Sequence, residues 1–301
     1  MSREIKAYRD EQKVLVLSLR CNNHCRFCFY SMKERKERDD PDIVQVSRQL
    51  AMWREEGTRI VNLHGGEPTV APTFLKTIAL LHRLEMRYTL NSNVRAFSME
   101  RFASHVLDTA PPREVLTTLL SSCPEAHDFL TRSEGSHAQT MAGIRRLRKA
   151  WIPTSVHIVI LEQNYRALPE MVEELISLGC RLKFSFPTFS GEALRNAAEI
   201  ACRMGDAMPF LRKAVDRLDT TRTDYFVEKA QVCIWPEHFA HVREQVSDID
   251  DRRHYACCEG CFYRDQCAGI SDTYARLFGI DEFSAVAAAV PRPSQILLKK
   301  D

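Results

Sequence analysis

The sequence of 301 residues predicts an α/β protein with parallel strands inside helices, followed by a small cysteine-rich segment. Three observations carry that reading. Short apolar runs alternate with helix-length amphipathic segments between residues 14 and 186. Polar or glycine-bearing loops follow the ends of those runs. Near Gly191 the alternation stops, and cysteines then gather at 257–267. Repeated strand–helix units need crossover connections, which make neighbouring strands parallel and wind them with one hand.

The first strand is Val14–Leu19, and a loop with Cys21, Cys25 and Cys28 follows it. Lys33–Asp40 is a charge run and reads as a solvated connection. Asp40-Pro41-Asp42 opens a helix with proline in its first turn and Ile43, Val46, Leu50 and Trp53 on one face; Gly57 closes it. Ile60–Leu63 is the second strand and ends in His64-Gly65-Gly66-Glu67-Pro68. A helix over Phe74–Leu84 leads to a strand, Arg87–Asn91, with Asn91, Ser92 and Asn93 at its mouth. After a helix over Met99–Leu107 comes a strand, Glu114–Leu120, ending in Ser121 and Ser122. A helix at Ala138–Ala150, a strand at Ser155–Leu161, a helix at Leu168–Leu178 and a sixth strand at Arg181–Phe186 complete the series. Ala193–Leu218 reads as a long helical region. The natural division is 1–190 and 191–301.

Composition narrows the function. A hydrophobic content of 45% can supply a sizeable core. Lys and Arg total 42 against 40 Asp and Glu, a net charge of +2, so no global field favours nucleic acid or a membrane surface. Met1–Lys13 is polar, and no stretch approaches the roughly 18 apolar residues of a membrane span. A cytoplasmic protein is expected. In that compartment 11 cysteines are not read as disulfides, and their clustering argues for metal. Cys180 and Cys202, alone in apolar surroundings, read as small buried hydrophobes.

Three thiolates can hold three corners of a cubane iron–sulfur cluster, leaving one iron open to another ligand. A structural zinc site would more often pair two close-set knuckles. The spacing Cys21-x3-Cys25-x2-Cys28, with Phe27 before the last cysteine, resembles the radical S-adenosylmethionine (radical SAM) family. Gly65-Gly66-Glu67-Pro68, one helix and one strand later, matches the run with which that family binds the methionine amino group of its cofactor. The resemblance implies a partial (β/α)6 barrel of the TIM type, with all motifs at strand mouths. It also implies a 4Fe–4S cluster on Cys21, Cys25 and Cys28, and S-adenosylmethionine on the open iron. Further cofactor contacts are expected from Phe27 beside the adenine, from Asn91, Ser92 and Ser121, and from Arg132 facing the carboxylate. Turn capping is the plain alternative for the strand-mouth residues. His64, His127 and Asp128 read as structural polar groups.

Cys258-x2-Cys261-x5-Cys267 resembles the core of SPASM and twitch domains. Together with Cys233 these cysteines supply four thiolates for one auxiliary 4Fe–4S cluster, or for zinc. Cys257 is left beside a ligand, either as a spare or as a hydrogen-atom donor to substrate. The resemblance to short radical SAM epimerases of aminoglycoside biosynthesis favours redox-neutral epimerisation of a sugar-like small molecule. Peptide modification and small-molecule dehydrogenation are the alternatives. Only 20 residues precede Cys21, which counts modestly against a peptide substrate. A one-electron donor such as flavodoxin or ferredoxin is expected as partner, and no nucleic acid.

Overall fold

A computed structural model describes residues 12–236, 242–243 and 251–289; most of the polar run Met1–Lys13 lies outside them. The chain forms two compact units. One comprises Met1–Cys25, Tyr30–His157 and Ser177–Arg181, and the other Arg26–Phe29, Ile158–Ile176 and Leu182–Asp301.

In the first unit β1 (Gln12–Ser18), β2 (Ile60–Gly65), β3 (Arg87–Asn91), β4 (Glu114–Thr118) and the first four residues of β5 (Thr154–Val159) pair in chain order, all parallel. Between them run α1 (Met32–Glu37), α2 (Ile43–Glu55), α3 (Phe74–Arg83), α4 (Glu100–Thr109), α5 (Pro124–Thr131) and α6 (Ser136–Lys149). One strand face, with Leu17, Val61, Leu63, Leu90 and Val115, is fully buried, as are Leu50, Ile78, Leu81, Val106, Ile144 and Leu147 of the helices. Each such side chain contributes about 1.5–3 kcal/mol of transfer free energy. The opposite face carries polar side chains at its centre: the Asn62 amide donates to Thr89 Oγ1 at 2.7 Å and to Asn91 Oδ1 at 3.2 Å.

The second unit carries β6 (Arg181–Ser185), β7 (Tyr225–Glu228) and β8 (Val242–Arg243), also parallel. Its helices are α7 (Leu168–Ser177), α8 (Gly191–Arg195), α9 (Ala197–Ile200) and α10 (Met204–Thr221). A two-stranded antiparallel pair, β9 (Arg252–Arg253) and β10 (Ile270–Ser271), leads into α11 (Asp272–Phe278).

Two expectations are corrected. The Lys33–Asp40 run is no simple solvated connection, because it holds most of α1. Ser31 and Glu34 cap that helix reciprocally, and Arg35 is buried. Nor does the strand–helix pattern end near Gly191: three separate helices replace the single long one, and β7 joins β6 in parallel.

Candidate functional site

The cysteine loop leaves β1 where its pairing with β2 steps from Val16↔His64 to Ser18↔Gly65. Gly65 and Gly66 follow at the mouth of β2, and the chain there lies against the base of that loop. The Gly66 N–H donates to Ser18 O and the Glu67 N–H to Arg20 O, each at 2.8 Å. A Cβ on Gly66 would stand 2.3 Å from Leu19 O and 2.5 Å from Arg20 O; one on Gly65, at φ +144°, would stand 2.0 Å from Ser18 O. No backbone carbonyl yields that much room, so both positions require glycine.

Glu67 is fully buried. Its Oε1 accepts from the Thr69 N–H (3.1 Å), the Thr69 hydroxyl (2.6 Å) and the Ser92 hydroxyl (2.8 Å), and its Oε2 from the Asn93 N–H (2.7 Å). Burial pushes its pKa up, while these donors pull it down. The carboxylate therefore ties the mouth of β2 to that of β3. Glu67→Gln turns an acceptor into a donor facing donors and should cost about 2–3 kcal/mol in urea unfolding. Pro68 is buried at the start of a 3-10 turn.

Of the three loop cysteines, Cys21 and Cys25 belong to the first unit and Cys28, three residues on, to the second. All three are half-buried and none is in a disulfide. Cys21 Sγ accepts the Asn23 N–H at 3.3 Å, and the Asn93 amide stands 3.8 Å away. The His24 N–H donates to Thr131 O (2.9 Å), and Cys28 O accepts the Ala193 N–H (2.9 Å). Phe27 is half-buried. Among the described residues no three His, Cys, Asp or Glu side chains converge as they would on a single ion. Thiolates bound to separate irons of a cubane stand further apart than that. The donor chemistry of the loop fits the cluster, and the glycine turn packs directly against its base.

The remaining strand-mouth residues divide. Asn91 is half-buried, with its Oδ1 held by Asn62. The Ser92 hydroxyl donates to Glu67 Oε1, and Ser121 Oγ accepts the Cys123 N–H at 3.1 Å. Arg132 is exposed in a left-handed conformation (φ 50°) at the end of α5. Asp128 caps the start of α6, accepting from Ser136 Oγ and from the Gly135 and His137 N–H groups.

His127 is 1% exposed and accepts the Leu120 N–H at Nδ1 (3.2 Å). Burial, with neighbouring His137, pulls its pKa down to about 4. Between that value and 6.5 the unfolded chain binds the proton and the folded chain does not, so stability is lost as pH falls through this window. The loss is about 3 kcal/mol at most. Urea unfolding at pH 7 and pH 4.5 should show a smaller acid loss in His127→Asn than in the wild type.

Sequence reading missed the arginines around the loop. Arg35 donates to Asn23 O at 2.6 Å and, at 3.4 Å, to Leu19 O and Cys21 O. Arg95 donates to Asn22 O at 2.5 Å and to Asn23 Oδ1. The spacing Ser31-x-x-Glu34 was the available signal for α1; nothing local singles out Arg95.

In the second unit Cys233, Cys258, Cys261 and Cys267 line one cavity, with His254 and Tyr263. The four auxiliary positions are thus brought together across more than thirty residues of chain. Cys257 Sγ stands 4.0 Å from Cys258 Sγ, and Cys257 is not among the residues lining that cavity.

Comparisons with known proteins agree with this architecture. A probable GTP 3′,8-cyclase from Methanopyrus kandleri is 26% identical over 217 residues, 71% of this chain and 67% of its own length. The PqqA peptide cyclase of Streptomyces rochei is 23% identical over 231 residues, 73% of this chain and 63% of its own. Streptococcus suis SuiB bound to precursor peptide SuiA has a similar fold, with a TM-score of 0.61 at 15% identity. That match covers 78% of this chain and 54% of SuiB. Native anSMEcpe with bound AdoMet matches at a TM-score of 0.56 and 16% identity, over 72% of this chain and 63% of its own. The chain thus spans about two thirds of these curated relatives and little more than half of SuiB. Its fold is α/β with parallel strands, as the sequence predicts, and its cofactors are a 4Fe–4S cluster and S-adenosylmethionine. The pattern of the radical SAM superfamily matches residues 15–197, and the chain belongs to that superfamily.

Proposed function

We propose that this radical SAM enzyme epimerises a small sugar-like molecule without net redox change, with residues 1–190 as catalytic domain and 191–301 as auxiliary segment. The observation that carries this is Cys257, a half-buried thiol 4.0 Å from Cys258 Sγ that does not itself line the four-cysteine cavity. The polar strand face with Asn62, Thr89 and Asn91 supports a hydroxyl-bearing substrate.

Cys21, Cys25 and Cys28 would hold the cluster and leave one iron for the amino and carboxylate groups of S-adenosylmethionine. Gly65, Gly66, Glu67 and Pro68 shape the turn that receives the amino group, and Phe27, Asn91, Ser92, Ser121 and Arg132 complete the cofactor pocket. Cys233, Cys258, Cys261 and Cys267 would hold an auxiliary 4Fe–4S cluster. When bound, and with the cluster reduced by one electron from a low-potential carrier, cluster and cofactor would supply a 5′-deoxyadenosyl radical that takes hydrogen from an unactivated C–H bond. The Cys257 S–H bond then breaks as a C–H bond forms on the opposite face of the substrate carbon. The resulting thiyl takes up one electron and one proton to regain its hydrogen, the electron coming from a low-potential carrier such as flavodoxin or ferredoxin.

Cys257→Ala should stop epimer formation while cofactor cleavage continues, and the wild type in deuterated water should place one deuterium in the product. Unchanged epimerisation by Cys257→Ala would remove the thiol as donor. Likeness to a peptide cyclase favours a second reading, peptide modification. A product two mass units lighter, without solvent deuterium, would support it or a dehydrogenation.

A further inference from the structure

We propose that Arg35 and Arg95 form a cationic clamp on the cluster loop that sets its geometry and the reduction potential of the bound cluster. The carbonyls of three successive residues, Cys21, Asn22 and Asn23, are all taken by these two guanidinium groups. Asn23 is 4% exposed and Arg35 6%. Arg35 comes from α1 and Arg95 from the turn after β3, so the loop is gripped by two elements at once. Arg95 is itself held by Gln139 Oε1 on α6 at 2.7 Å.

These bonds end on carbonyl oxygens, so the positive charges are directed at the loop, not spent on a carboxylate there. Once its thiols ionise to bind iron, that loop becomes anionic, and a poorly hydrated site amplifies charge interactions. A nearby cation favours the more negative, reduced form of a cluster, which raises its potential; hydrogen bonding and local charge are recognised means of tuning such centres. Arg35 and Arg95 are positioning residues, since they act through the loop. The proposal rests on Cys21, Cys25 and Cys28 being the ligands.

The test compares the full-length wild type with Arg35→Gln, Arg35→Lys and Arg95→Gln after anaerobic reconstitution. The readouts are iron loss to a chelator and the midpoint potential of the reduced-cluster EPR signal that responds to S-adenosylmethionine. Both Gln variants should show a more negative midpoint and iron loss about 10-fold faster or more. Arg35→Lys keeps the charge and loses the fork, so it should hold a near-wild-type potential yet lose iron faster. Should Arg35→Gln fail to fold, Arg95→Gln and Arg35→Lys carry the comparison. Wild-type potentials and iron-loss rates in the variants would overturn the clamp. A wild type with no cofactor-responsive signal would overturn the ligand assignment, and the clamp with it.

Discussion

Replacing Gly66 with alanine should cut 5′-deoxyadenosine release at least about 100-fold, because misplacement near 1 Å in a reacting site costs that much. The added methyl would meet two backbone carbonyls, Leu19 O at 2.3 Å and Arg20 O at 2.5 Å. A flexible side chain could swing away from it, but these carbonyls begin the cysteine loop and are fixed by the Glu67 N–H bond to Arg20 O. The strand mouth or the loop must therefore move, at a stability cost of about 1–3 kcal/mol or more. Gly135 is the control. Its φ is +72°, but nothing lies within 4 Å of its added Cβ. Gly135→Ala should lose about 1 kcal/mol from the positive φ alone and keep its activity. Thermal unfolding and product release, measured on both variants, separate local strain from damage to the site.

Cys25→Ala should reduce cofactor cleavage to background, the largest effect expected of any substitution here. Two thiolates cannot fix the cubane with one iron left open, so the source of the radical is lost. Cys21→Ala and Cys28→Ala should behave alike. Cys233→Ala, in the auxiliary set, should retain cofactor cleavage and lose product. Cys180 and Cys202 supply the negative control, since burial pushes their thiols up to about 11 and about 12. Both are buried and lie outside the two cysteine groups, so alanine there should leave cleavage intact and cost only packing. Iron content and 5′-deoxyadenosine release across the series check these outcomes together. Cleavage at wild-type level in Cys25→Ala would remove this loop as the cluster site.

Local signals explain why much of this was legible in advance. Apolar runs such as Val14–Leu19 and Ile60–Leu63 sit between glycine, proline and capping residues, and those set the strand–helix order. The two motifs depend on residue type at fixed spacing and stood out for that reason. What escaped prediction is nonlocal. Arg35 looked like one more surface charge because its acceptors, the loop carbonyls, have no sequence signature. The bonds by which Glu67 joins two strand mouths are nonlocal too, since they depend on Ser92 and Asn93 from the next strand. β7 was overlooked because Tyr225–Glu228 is only four residues long and lies far beyond β6 in sequence. Its pairing with β6 is set by tertiary packing.

Binding of S-adenosylmethionine to the open iron of the cluster on Cys21, Cys25 and Cys28 is most directly tested by electron–nuclear double resonance. The reconstituted, reduced protein would be given cofactor labelled at the methionine nitrogen and carboxylate oxygen. Hyperfine coupling from both labels to the cluster, lost in Cys25→Ala and kept in Cys233→Ala, is the predicted result. A cluster signal that shows no coupling to either label would contradict it.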